Sequence, residues 1–204
     1  MDALLRRRMM MMAGEPPTPT PVFYDYIESD GTQWIDSGIG SGLALSRVVV
    51  DAYGCFTSNA IRYSWWLFNE TSQGYYVGAQ ANNTRVNFYY GASSWQQLTG
   101  GIGSTKTRFF INPPSVTYGN TTKNFPDTTA TYVNNFRFLF NGGTSTGTAS
   151  KLWRTKIYVD DVLVRDYQPC KDTAGVAAMY EHISGTYNYG ANQSGNAFSV
   201  GNDS

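Results

Sequence analysis

Histidine is almost missing from this 204-residue chain: His182 is the only one. Serine or cysteine nucleophiles ordinarily need a histidine base. His182 sits beside Glu181 in an expected turn and reads as a solvated loop residue. Zinc needs closely spaced His and Cys ligands, and one histidine with the distant Cys55 and Cys170 supplies no such spacing. Glutamate is thin as well. Glu15, Glu28, Glu70 and Glu181 are scattered, with no two on one strand face, whereas glycoside hydrolysis needs a positioned carboxylate pair. TGGIGST lacks the lysine of a phosphate-binding loop. Loop aspartates such as Asp127 or Asp172 could meet calcium, but nothing resembles a calcium loop. The expectation is therefore no enzyme, no cofactor and no metal site.

Other shortages narrow the class further. Fifteen basic and fifteen acidic residues give a formal net charge of zero, so no basic field exists to attract nucleic acid. No window holds the roughly 20 apolar residues of a membrane-spanning helix, and membrane insertion is not expected. Two cysteines do not make a disulfide framework. Buried free thiols are the expected state, with a Cys55–Cys170 bridge as the alternative.

Methionine is short everywhere except at the start. Five of six fall within the first twelve residues, MDALLRRRMMMM, and the sixth is Met179. Read as a secretory signal, the stretch fails, because its apolar run (residues 9–13) is shorter than the 7–15 residues usual for such a core and no small-residue cleavage site follows. Read as an idle terminus, it needs no further account. The third reading is a docking peg, residues 1–14. Leu4, Leu5 and Met9, Met10, Met11 and Met12 would make adaptable apolar contacts, and Arg6, Arg7 and Arg8 would pair with carboxylates. Residues 15–22 then form a stiff proline-rich linker, with a domain at 23–204. The docking reading is the one adopted.

What is abundant is aromatic: 15% of residues, alongside 21 glycines. About 180 residues beyond the tail suit one domain, and aromatic and β-branched runs separated by turn residues predict strands. YDYIES leads through Asp30-Gly31 into TQWIDSGI. SRVVVDAYGCF, IRYSWWLFN, GYYVGAQ and TRVNFYYG follow, then TRFFIN and SVTYGN around Pro113-Pro114. FRFLFNGG places Phe136, Phe138 and Phe140 on one face, with Arg137 and Leu139 on the other, and predicts a strand buried on both. LWRTKIYVDDVLVRDYQP predicts a hairpin turning at Asp160-Asp161, with Pro169 ending its second strand. No stretch has the periodicity of a long helix.

Two segments carry a likeness. YIESDGTQWIDSGI, residues 26–39, and KIYVDDVLVRDYQPCKDTAGVAAMYEHISGTYNYG, residues 156–190, resemble the opening and closing strands of a concanavalin A-like (laminin-G-like) domain. The type occurs in bacteriophage structural proteins and in surface proteins of gut bacteria. LLRRRMMMM is similar to the start of proteins from such phage genomes. The resemblance implies an all-β, two-sheet antiparallel jelly-roll sandwich with an extended N-terminal tail and its terminal strands side by side. It makes Glu28, Gln33, Asp36, Arg165, Asp166 and Cys170 framework residues. The chain departs from the pattern in its Asp-Asp turn and in the Trp- and Tyr-rich region 57–105.

That region supplies the candidate binding groups. Trp65, Trp66, Tyr75, Tyr76, Tyr89, Tyr90 and Trp95 are interspersed with Gln73, Gln80, Asn82 and Asn83. Such rings could stack on sugars, or fill the core or a subunit interface. Adjacent pairs are expected to face opposite sides of a strand. The resemblance and the tail together imply a non-enzymatic virion protein, a capsid-decorating or head-fibre protein held to phage capsid or tail proteins by the peg. Its location would be the virion surface, as a homo-oligomer, with a trimer as the specific expectation, and with host or mucosal glycans as possible ligands. The alternative is a lectin-like carbohydrate-binding module of a bacterial surface protein.

Overall fold

A computed structural model describes residues 20–57, 64–70, 76–82, 85–90, 94–99, 105–124, 130–139, 149–192 and 198–204. For 64–99 and 191–192 the description is of the backbone, with the side chain of Asn69 in addition. The expected peg and linker residues 1–19 lie outside the described residues.

In chain order the strands are β1 (Val22–Phe23), β2 (Tyr26–Ser29), β3 (Gln33–Asp36), β4 (Val48–Phe56), β5 (Ser64–Glu70), β6 (Tyr76–Asn82), β7 (Arg85–Tyr90), β8 (Ser94–Thr99) and β9 (Thr107–Asn112). They continue as β10 (Ser115–Tyr118), β11 (Thr121–Asn124), β12 (Arg137–Phe138), β13 (Ser150–Val159), β14 (Val162–Lys171), β15 (Ala177–Glu181), β16 (Thr186–Asn188), β17 (Ala191–Asn192) and β18 (Ser199–Gly201). Among the described residues the only helical element is a single 3-10 turn, Leu45–Arg47. The protein is all-β, built from two antiparallel sheets. The larger runs β11-β10-β9-β4-β13-β14-β15-β16, with β1, β2 and β18 attached; the smaller runs β17-β3-β12-β5-β6-β7-β8.

The larger sheet divides at its centre. β13 pairs with β4 along one side, but its other side changes partner: Ser150 to Leu152 face β2, and Thr155 to Val159 face β14. The register slips between Leu152 and Thr155, a bulge that bends the strand. The far end of β14 picks up β1 instead, with Phe23 opposite Cys170. β18 closes the other side of β2, setting Val200 opposite Ile27. The last strand of the described fold thus lies beside the second, while the first pairs with β14.

Alternation along the strands builds the core between the sheets. Val48, Val50 and Ala52 of β4, Ile157 of β13 and Phe109 and Ile111 of β9 are fully buried. They form one cluster with Ile35 of β3 and Phe136 and Phe138 from the smaller sheet's side, a β-sandwich arrangement. Truncating Phe138 to alanine would cost about 3–5 kcal/mol, the usual range for a buried phenylalanine.

β2 and β3 belong to different sheets, so the Asp30-Gly31 turn is a corner between layers. The buried Ser29 Oγ donates to Gln33 Oε1 at 2.7 Å, and Gln33 Oε1 also accepts the Asp30 N–H at 3.1 Å. A buried amide satisfied in this way fixes the corner.

Two expectations need correction. Pro169 does not end its strand; β14 continues to Lys171. The Pro169 carbonyl accepts the Tyr24 N–H at 2.9 Å, so its ring nitrogen faces the same side. That side is the gap between the β13 ladder, ending at Tyr167, and the β1 ladder, beginning at Cys170. No N–H is required there. FRFLFNGG forms only the two-residue β12, because Leu139 takes φ 60° and leaves the extended conformation. Phe136, Phe138 and Leu139 are nonetheless buried, and Phe140 lies outside the described residues. SVTYGN is half of a hairpin whose return strand, β11, had no apolar run to announce it.

The Asp160-Asp161 turn forms as expected. Both residues have positive φ, 50° and 63°, the signature of a type I′ hairpin. Arg47 holds Asp160 through Nε at 2.9 Å. Asp161 has no such partner among the described residues and carries the left-handed cost alone. Asp161→Gly should leave thermal stability equal or higher, while Asp161→Val should lower it by about 1–2 kcal/mol. Paired melting curves test both, and equal melting for the two variants would contradict the turn assignment.

Candidate functional site

The outward faces of β9, β4, β13 and β14 form the most developed surface feature. With Val48, Val50 and Ala52 turned inward, Val49, Asp51 and Tyr53 must turn out; β13 likewise presents Arg154, Lys156 and Tyr158. The register aligns these across strands. Asp166 faces Lys156, Lys156 faces Asp51, and Asp51 faces Phe110. One depression of about 630 Å³ is lined by Tyr24, Tyr53, Trp153, Lys156 and Gln168 among others. A second, of about 380 Å³, is lined by Arg108, Phe110 and Asn112. Both include Asp51 and Tyr158, so they join into one groove.

Bidentate ion pairs fix its floor. Arg108 grips Asp51 through Nε and Nη2 at 2.7 and 2.8 Å while its guanidinium lies 4.3 Å from the Phe110 ring centre. Arg154 grips Asp166 at 2.7 and 2.6 Å. Burial would raise the Asp166 pKa, but hydrogen bonding and charge from Arg154, with Lys156 and His182 adding, hold it below the ordinary value. At one end the Trp153 indole donates to the Asp203 carboxylate at 3.1 Å, and Lys106 pairs with the same carboxylate at 3.0 Å. The bulge in β13 aims Trp153 into this corner.

Beyond Gln168 an aromatic cluster continues along the same sheet. Phe23 stacks on His182 with centroids 5.4 Å apart, Tyr180 meets both edge-on, and Tyr187 and Tyr189 follow. His182 is an exposed turn residue whose Nε2 lies 3.0 Å from Gln168 Oε1. Glu181 beneath it is buried and accepts the N–H groups of Asp166, Ile183 and Ser184. Burial pushes its pKa up, but those bonds outweigh it and the net direction is down.

This arrangement suits binding better than proton transfer. A general acid needs a raised pKa, and Asp166 and Glu181 are shifted the other way. Cys55 and Cys170 are both buried and unpaired. Burial raises the Cys55 pKa and pushes Cys170 up to about 11. Asp172 spends Oδ1 on the N–H groups of Ala174 and Val176 and Oδ2 on the Tyr189 hydroxyl. Among the described residues no three His, Cys, Asp or Glu side chains gather as metal ligands, and no helix is long and apolar enough to cross a membrane. Asp127 lies outside the described residues.

The residues named from the likeness take structural positions. Gln33 fixes the corner, Asp36 accepts the Gly38 N–H at 2.8 Å, Arg165 donates to the Ser37 carbonyl at 3.3 Å, and Asp166 anchors Arg154. Glu28 sits in β2 opposite Ser199 and Lys151.

The aromatic candidates fall on the other sheet. Trp65 and Trp66 lie in β5, Tyr76 in β6, Tyr89 and Tyr90 in β7 and Trp95 in β8. Tyr89 stands opposite Trp95, and Trp65 opposite Gln80. The side chains of these six, and Tyr75 entirely, lie outside the described residues. The expectation of opposed faces for Trp65 and Trp66 concerns side chains outside the described residues. The groove aromatics Tyr24, Tyr53, Phe110, Trp153 and Tyr158 were not singled out from sequence. All but Tyr24 sit one position from a core residue, and only the period-two alternation of VVVDAY and TRFFIN carried a trace of Tyr53 and Phe110.

Comparison with known proteins gives no match to any family model and none among curated sequences.

The ion-paired carboxylates predict acid sensitivity. Asp166 and Glu181 have folded pKa values below their unfolded ones, so their contribution is present above the unfolded values and lost as pH falls. Melting temperature should fall progressively below about pH 5. Asp166→Asn should lower neutral-pH stability by about 1–2 kcal/mol and flatten the acid limb. An acid limb identical to that of the unaltered protein would show that Asp166 does not contribute.

Proposed function

We propose that this chain is a non-enzymatic bacteriophage virion structural protein, a capsid-decorating or fibre protein. Residues 1–14 anchor it to capsid or tail proteins, and a concanavalin A-like jelly roll is displayed for attachment to host or mucosal glycans. The observation that carries the binding half is the groove. Aromatic side chains flank hydrogen-bonding groups already held by internal ion pairs, and such surfaces stack sugar rings while bonding their hydroxyls. The pairing of the last strand, β18, with β2 near the start of the fold supports the jelly-roll assignment. The virion half rests on the sequence likeness and on the basic, methionine-rich opening. Anchored display gains from multivalency, and a homotrimer at the virion surface is the assembly proposed.

Two measurements test the two halves separately. Purified particles complemented with the full-length chain should contain it, and particles complemented with a chain starting at Glu15 should not, although both forms melt alike. Equal incorporation would place attachment in the sandwich, and absence of both would favour the bacterial surface module. On a glycan array the full chain should retain saccharides, with retention reduced roughly tenfold by Tyr158→Ala or Tyr53→Ala. No retained saccharide would sink the binding half.

A further inference from the structure

Resting on that saccharide-binding reading, we infer that the groove takes an internal stretch of a linear glycan lying across the strands, and not a single terminal sugar. A line from Gln168 through Lys156 and Asp51 to Phe110 crosses four adjacent strands, β14, β13, β4 and β9. At the usual spacing between strands that line is about 14 Å long. A single pyranose cannot cover it, and a chain of about three can. The two depressions share Asp51 on this line and Tyr158 beside it, so they are consecutive stretches of one track.

The walls follow the same direction. Tyr158 lies opposite Val49, and Tyr53 lies four residues further along β4, about 13 Å away at the usual rise per residue. An aromatic ring therefore borders the track on either side, and Phe110 stands at its β9 end. At its centre the Lys156 ammonium makes no hydrogen bond or ion pair among the described residues, while Arg108 and Arg154 are committed to Asp51 and Asp166. Lys156 thus offers its donors to the middle unit of a bound chain. The flanking Asp51 carboxylate, already held by the Arg108 guanidinium, accepts hydroxyls without rearranging.

The test is isothermal titration of the full-length protein with homo-oligosaccharide ladders of glucose, N-acetylglucosamine and galacturonate, each from monosaccharide to hexasaccharide. For the ladder that binds, affinity should rise at least roughly tenfold from the monosaccharide to the trisaccharide and then level. Tyr53→Ala and Phe110→Ala, from opposite parts of the track, should each weaken the hexasaccharide while melting as the unaltered protein does. Lys156→Gln should weaken the trisaccharide as well. Equal affinity for monosaccharide and hexasaccharide would overturn the linear-chain inference and leave saccharide binding intact. So would a glycan array positive only for branched terminal epitopes. Silence on both the ladders and the array would overturn the saccharide reading itself.

Discussion

The structure depends on one junction, where residues 22–29 enter the larger sheet between the diverging ends of β13 and β14. Without them the inner edges of two long strands would expose unpaired backbone, and buried amide and carbonyl groups are costly to leave unmet. β1 satisfies the end of β14, β2 satisfies the start of β13, and β18 covers the remaining edge of β2. Pro169 is tolerated inside β14 because it falls at this junction.

The groove follows from the same junction. Splitting the sheet forces the bulge in β13, and the bulge turns Trp153 toward the C-terminal Asp203. Where the strands run regularly, alternation sends valines and phenylalanine inward and leaves Asp51, Tyr53, Lys156 and Tyr158 outside. Neighbouring strands then bring opposite charges into register, and Arg108 and Arg154 neutralise the aspartates they reach. An ion pair between partly exposed groups such as Arg108 and Asp51 adds little stability, whereas the buried Asp166 is costlier to alter. The consequence of both pairs is a surface whose polar groups are fixed before any ligand arrives, the condition under which binding loses least entropy.

The anchored display proposed above would require a rigid head and a surface for a ligand. The sandwich core is suited to the first, with large rings such as Phe56, Phe109 and Tyr132 fully buried. The outer face of the larger sheet is suited to the second, with Asp51 and Asp166 already held by arginines.

The sequence by itself determined the class and much of the strand layout. Alternating β-branched and aromatic residues, the Asp-Asp turn and the absence of helical periodicity are local properties, and local properties survive in a linear reading. It also determined that histidine and glutamate chemistry was sparse. Tertiary structure alone decided which strands became neighbours, because pairing is a contact between distant residues. Val50 cannot announce from its own context that it will lie opposite both Ile111 and Ile157. For the same reason the groove was invisible: Tyr53, Phe110, Trp153 and Tyr158 come from three strands, and only register sets them on one face. Pro169 and Leu139 make the point in reverse. Each obeys a local rule that the fold overrode, the proline because a junction removed the demand for its N–H, and the leucine because burial held it in a backbone conformation it rarely adopts.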